Sequence, residues 1–208
     1  MAINSRALPV FEGVKYDIVS EAAFNLAEIA LRDGLKPSEL FENNLVQMDI
    51  LAEAESLIWK SDNVKQSEIN INDIEKKEIL AISDNILEFI RKMGGEKLKF
   101  KPKLKGYSFI PDVKADISID DKLFEIKTVN RNFRTSDLKQ LLIYLALDQV
   151  SKENNWQSGG LYNPRKGTYV EFDARKMVYN LSGGNSPNEV LESLLNGFIR
   201  DVVIDSKF

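Results

Sequence analysis

The chain of 208 residues contains no cysteine and no histidine. Without cysteine there are no disulfides, zinc ribbons, thiol nucleophiles or iron–sulfur ligands, and relatives built on a four-cysteine cluster are excluded. Without histidine there is no imidazole general base and no His-ligated metal. Hydrolytic chemistry in this chain must therefore come from carboxylates, lysines and hydroxyls, with a hard cation held by oxygen. That favours magnesium or manganese. Long apolar runs are missing too: none approaches the roughly 20 residues that cross a bilayer. Met1 to Val10 lacks a basic segment followed by an apolar one, so no secretory signal and no membrane association are expected, and the cytoplasm is the expected location.

Net charge is −4, which by itself disfavours a polyanion partner. The charge is unevenly spread, however. Arg91 to Arg134 holds twelve basic and six acidic residues, a local +6 that leaves −10 for the rest. A basic centre between acidic flanks fits a nucleic-acid footprint, although surface lysines also cluster without one.

The first half reads as helical. Val19–Asp33 carries Ala22, Leu26, Ile29 and Ala30 at helical spacing and stops at Gly34. Pro37 and Ser38 open a second helix to about Lys60, with Leu45, Met48, Leu51 and Ile58 on its apolar side. Ser61–Asp73 is polar and loop-like, and a third helix spans Ile74–Met93 before Gly94 and Gly95. The period then changes to two. Lys97, Lys99, Lys101, Lys103 and Lys105 alternate with Leu98, Phe100, Pro102 and Leu104, which predicts a strand with one lysine face and an edge or bulge at Pro102. Strands are expected over Tyr107–Ile119 and Leu123–Val129 around a turn at Asp120 and Asp121. A helix capped by Thr135 or Ser136 should run to Val150, followed by strands at Gly160–Asn163 and Thr168–Phe172 and a helix from Pro187 to Val203. The expected fold class is α/β, a mixed central sheet flanked by helices. A helical extension over residues 1–94 packs on a core of residues 95–208.

One segment carries chemistry. If Asp120 and Asp121 form a two-residue hairpin loop, paired positions place Asp116 opposite Glu125, with Cβ atoms about 4.5–5.5 Å apart. Lys127 then follows on the same face about 6.5–7 Å along the strand. Two carboxylates this close repel, and a divalent cation with oxygen ligands at about 2.0–2.1 Å removes the conflict. The plain alternative is a cross-strand Glu–Lys surface ladder. Beyond the strands, Gln140 and Tyr144 stand four apart on one helical face.

This order of residues resembles the PD-(D/E)xK nuclease superfamily, in particular its RecB-like and lambda-exonuclease-like branch. There an Asp on one strand and a Glu-x-Lys on the next precede a helix bearing Gln-x-x-x-Tyr. The stretch from Gly160 to Gly167 is also similar to that branch, and the resemblance covers roughly Lys97–Asp173. It implies a restriction-endonuclease-like core. Asp116, Glu125 and the carbonyl of Ile126 would be metal ligands, Lys127 the catalytic lysine, and Gln140 and Tyr144 would position substrate or site. The neighbouring Pro111-Asp112 dipeptide has the family's letters without its spacing. Many relatives add a histidine or glutamate from a preceding helix, and Glu53, Glu78 and Glu88 remain open for that place.

The resemblance implies a magnesium- or manganese-dependent nuclease, with DNA expected ahead of RNA, in DNA processing, recombination or defence. Gln-x-x-x-Tyr points to an exonuclease, while endonucleases share the fold. Lys97, Lys99, Lys101, Arg131 and Arg134 are the candidate phosphate contacts; lysines on an edge strand also protect against aggregation. The alternative is a catalytically inactive nuclease-like subunit for nucleic-acid binding or assembly. Its N-terminal helices, with Leu26, Ile29, Leu45 and Leu51, would meet a protein partner.

Overall fold

The computed structural model describes residues 7–58 and 70–205, so the loop expected over Ser61–Asp73 and the expected helix end at Lys60 lie largely outside the described residues. The chain divides into two compact units, and among the described residues the first crossing between them falls after Met93.

The helical unit comprises α1 (Tyr16–Asp33), α2 (Pro37–Phe41), α3 (Asn44–Ile58) and α4 (Asp73–Met93), together with residues 164–167. Helix α1 presents buried Ala22, Ala23, Ala27 and Ala30, whose small side chains let α4 approach closely. The buried Ser83 hydroxyl of α4 lies 2.9 Å from the Ala23 carbonyl and 2.7 Å from the Ile79 carbonyl, sharing its one proton between them. The second helix expected from the sequence is split in two. Asn43 Oδ1 accepts from Leu45 N at 3.0 Å, and such a side-chain cap starts a fresh helix where apolar spacing predicts a continuous one. Arg165 is 1% exposed and pairs with both oxygens of Glu78, at 3.0 and 2.8 Å, while its guanidinium stacks 4.6 Å from the Tyr16 ring.

The second unit is a mixed α/β assembly. Its strands are β1 (Leu98–Phe100), β2 (Lys103–Leu104), β3 (Val113–Lys114), β4 (Ile117–Ile119) and β5 (Lys122–Ile126), followed by α5 (Thr135–Ser151), β6 (Ser158–Asn163) and β7 (Thr168–Asp173), then α6 (Ala174–Leu181) and α7 (Pro187–Asp205). The five-stranded sheet runs β1-β4-β5-β6-β7, antiparallel except for the β5–β6 pair. Helix α5 is the crossover that joins these two parallel strands, as a parallel connection requires. One face of the sheet puts Leu123 and Leu161 against Leu141 and Leu145 of α5, with Leu191 and Leu195 of α7 in the same cluster.

The lysine-rich strand does not continue as one. Alternation holds to Phe100, and then Lys101 takes a left-handed conformation at φ 49°. Lys101 N donates to Asp116 O and Pro102 O accepts from Ala115 N, forming a bulge. The chain leaves the large sheet there and pairs as β2 with β3 in a separate two-stranded ribbon. For the same reason the strand expected over Tyr107–Ile119 becomes two short pieces, preceded by a tight turn in which Tyr107 and Ile110 exchange backbone hydrogen bonds. Helix α6 is an addition to the elements expected from the sequence. Its signal is Asp173, whose carboxylate accepts from Lys176 N at 2.8 Å as an N-cap.

Gly160 in β6 is the tightest point of the strand pair. A Cβ there would meet the Phe124 ring at 2.5 Å and the Val170 carbonyl at 2.8 Å. Gly160→Ala is expected to cost about 1–3 kcal/mol through overpacking, read as a lowered thermal midpoint, whereas Gly197→Ala, with open space around it, should leave the midpoint unchanged or raise it.

Candidate active site

The β4–β5 hairpin fixes the position of the acidic residues. Its pairs run Ile119 with Lys122, Ser118 with Leu123 and Ile117 with Phe124, and the ladder ends there, with Asp116 and Glu125 the next residues along each strand. The turn closes because Asp120 adopts φ 52° and its carboxylate accepts from the backbone N–H groups of Glu96 and Lys97. Apolar Ile117, Ile119 and Phe124 fall on the opposite face, where all three are buried.

Asp116 stands at the open end of the hairpin, and its Oδ2 accepts from Ile126 N at 2.6 Å. The N–H and C=O of a strand residue point to the same side, so the Ile126 carbonyl faces this neighbour too. Glu125 is only 3% exposed. Lys127 Nζ donates to Glu125 Oε1 at 2.8 Å and to Gln140 Oε1 at 2.7 Å. Gln140 Nε2 in turn donates to the Tyr144 hydroxyl at 3.0 Å. Asp116, Glu125, Lys127, Gln140 and Tyr144 thus form one connected group, drawn from two strand ends and one helix.

The electrostatics follow from burial. Loss of water pushes the Glu125 carboxyl above the usual carboxylate range, against the pull of the Lys127 ammonium. Burial likewise raises the Tyr144 phenol, aided by the negative charges of Glu125 and Asp116, so it remains a neutral hydroxyl at neutral pH. Glu125 Oε2 is buried without a hydrogen-bond donor. An orphaned carboxylate oxygen beside a second carboxylate is chemically suited to a hard cation. The donor set, carboxylate and carbonyl oxygens without nitrogen or sulfur, fits magnesium or manganese. Among the described residues no group of three acidic side chains gathers, so the pair has no third carboxylate. Glu78, one of the three candidate glutamates for that place, is held by Arg165.

The candidate phosphate contacts are differently placed. Lys101 lies beside Asp116, joined through its backbone, whereas Lys97 and Lys99 run toward the turn end of the hairpin. There they line a cavity of about 830 Å³ with Ser118, Asp120 and Asp121. Arg134 is exposed at the start of α5. Arg131 is bound to Asp137 through two hydrogen bonds of 2.6 and 2.9 Å. Asp112 accepts from Gly106 N and holds the turn.

Two residues that the sequence does not single out shape the loop between Lys127 and α5. Asp137 also accepts from Arg134 N at 2.8 Å, so it caps the helix in place of the expected Thr135 or Ser136. The adjoining Arg131 guanidinium holds the Asp137 carboxyl down at about 2. Asn163, buried at the end of β6, donates to Val129 O at 2.7 Å. An Asp in the first helical turn is a recognisable cap signal; the bond from Asn163 has no local signature.

Comparison with family models, with curated proteins and with solved structures finds no match to this chain.

Two outcomes are expected from this geometry. Because the Asp137 carboxyl is depressed on folding, its contribution is present above the unfolded carboxylate range and lost as pH falls through about 2. Asp137→Asn should cost about 2 kcal/mol at neutral pH, with the gap to wild type closing in acid denaturation series. Manganese should raise the thermal midpoint of the wild type in a concentration-dependent way, and Asp116→Ala should abolish that shift.

Proposed function

We propose that this chain is a divalent-cation-dependent deoxyribonuclease with a restriction-endonuclease-like core of the PD-(D/E)xK kind. The observation that carries this reading is the convergence of Asp116, Glu125 and Lys127 around an orphaned, buried carboxylate oxygen. The β4–β5 hairpin, the α5 crossover and the Gln140–Tyr144 pair add support, since they follow the order that the resemblance implies.

Asp116 Oδ1, Glu125 Oε2 and the Ile126 carbonyl would hold magnesium or manganese. When bound, such a cation polarises a phosphoryl oxygen and makes a water molecule nucleophilic at neutral pH. Lys127 has a different task. Its ammonium is anchored by Glu125 and Gln140, which leaves one of its three N–H bonds to orient the attacking water or to meet charge building on the phosphate. Gln140 fixes this lysine through its carbonyl and the Tyr144 hydroxyl through its amide, so the Gln-x-x-x-Tyr helix sets the lysine's direction. Hydrolysis then breaks the phosphorus–oxygen bond to the leaving sugar, and that oxygen takes up a proton. Lys101 and Arg134 would contact neighbouring phosphates.

With manganese, the purified protein is expected to degrade linear DNA and spare covalently closed circles, which would identify an exonuclease; cleavage of both would identify an endonuclease. Lys127→Ala should lose at least about a hundredfold in rate. Absence of cleavage of either substrate, with Lys127→Ala indistinguishable from wild type, overturns the proposal and favours an inactive binding subunit.

A further inference from the structure

The lysine-rich segment parts from the large sheet at Lys101 and continues as a ribbon of two residue pairs, Lys103 with Lys114 and Leu104 with Val113. Alternation gives such a ribbon two faces. Leu104 and Val113 turn inward: Leu104 is buried in the cluster that holds Leu141 and Leu145 of α5, and Val113 packs against that cluster. Lys103 and Lys114 therefore share the outer face, where both are exposed. Their register sets two ammonium-bearing side chains directly opposite each other, an arrangement that destabilises a strand pair. Half of the ribbon's pairing is thus repulsive, and the inward apolar pair holds it together.

Among the described residues neither ammonium has an ion-pair partner, and the same holds for Lys105, exposed just past β2. The one acid in the sequence between Lys101 and Ala115 is Asp112, and its carboxylate accepts from Gly106 N at 2.8 Å. Lys97 and Lys99 are differently placed. They line their cavity together with Glu96, Asp120, Asp121 and Glu153, so acids outnumber lysines there. The ribbon also starts at the carboxylate site. Lys101 N donates to Asp116 O, and Lys114 precedes Asp116 by two residues, about 6.5–7 Å of extended chain. Lysines on edge strands do guard against aggregation. Two of them facing each other cost stability that a single one does not.

We infer that the outer face of this ribbon is the track for the DNA backbone beside the cleaved phosphodiester, with Lys103 and Lys114 each neutralising one phosphate and Lys105 continuing the row. A polymer with a charge on every nucleotide meets both lysines at once, which turns their mutual repulsion into attraction for the ligand. Contacts of this kind fix where a strand lies without reading its sequence. The inference rests on the nuclease reading for the identity of the polymer. It moves the backbone contacts from Lys97 and Lys99 to the ribbon, and it sets affinity for DNA against the ribbon's own stability.

The test is fluorescence anisotropy on the full chain with a short DNA duplex, in chelator, where no cation supports cleavage. The Lys103→Gln, Lys114→Gln pair is expected to weaken binding about tenfold. It should reduce the slope of log affinity against log salt by about 1.8, at about 0.9 for each duplex phosphate that the protein no longer neutralises. Lys77 of α4 and Lys176 of α6, both exposed, provide the control: replacing both with Gln removes the same charge and should leave the slope unchanged. Lys114→Glu separates binding from folding. It sets a carboxylate opposite Lys103, so the thermal midpoint should rise while affinity for the duplex falls at least about tenfold. No binding of the duplex, equal slope changes in the ribbon and control pairs, or an unchanged affinity or lowered midpoint in Lys114→Glu overturns the inference. So does tighter binding of polyglutamate than of DNA, which would assign the ribbon to an acidic protein segment. Ribbon-dependent binding by a protein that cuts nothing with manganese refutes the nuclease reading alone, and manganese-dependent cleavage with ribbon variants that bind like the controls refutes the ribbon assignment alone.

Discussion

A carboxylate almost out of reach of water, Glu125, sets the terms for everything around it. Burying a charge is tolerable only with partners, and each neighbour of Glu125 answers part of that demand. Lys127 neutralises one oxygen. Asp116, fixed by the Ile126 amide, brings a second negative charge to the other and so makes a cation the natural completion. Gln140 accepts from the lysine opposite Glu125 and is itself anchored on the Tyr144 hydroxyl. The sheet supplies the rigidity this needs, because the acids and the lysine sit at ends of paired strands and the glutamine and tyrosine on a packed helix.

The loop between Lys127 and α5 is organised separately. Arg131, a basic side chain close to the site, is tied to Asp137, and the same aspartate caps the helix that bears Gln140. Asn163 secures the loop from the other side. The arginine's contribution is thus to keep the glutamine helix in register with the strand that carries the lysine. Basic residues in this segment accordingly divide into those that build the site and those, such as Lys103 and Lys114, that remain without acidic partners among the described residues.

How much of this is legible in the sequence varies with the range of the interaction. The hairpin register around Asp120 and Asp121, as far as Ile117 and Phe124, can be read because a two-residue turn and strict alternation determine register locally. Gln140 and Tyr144 are visible because helical spacing sets two side chains on one face. The lysine strand is legible only as far as Phe100: nothing in alternating Lys and apolar residues announces that Lys101 turns left-handed and sends the chain into a second sheet. The break between α2 and α3 and the existence of α6 depend on single caps, Asn43 and Asp173, easily passed over beside strong apolar periodicity. Arg165 reads locally as a turn residue, and only tertiary structure reveals it as a buried ion-pair partner of Glu78.

That arginine bears on how the protein can be divided. The turn between β6 and β7 belongs to the helical unit, where Arg165 is enclosed by Glu78 and the ring of Tyr16. A fragment beginning at Gly94 would retain the guanidinium and lose both its counter-ion and its aromatic cover, and with them the contacts that hold the β6–β7 turn. The helices are therefore no detachable prefix. Grafting, truncation or recombination at that boundary would have to replace Arg165 as well, and the two parts of this chain are expected to be inherited and engineered together.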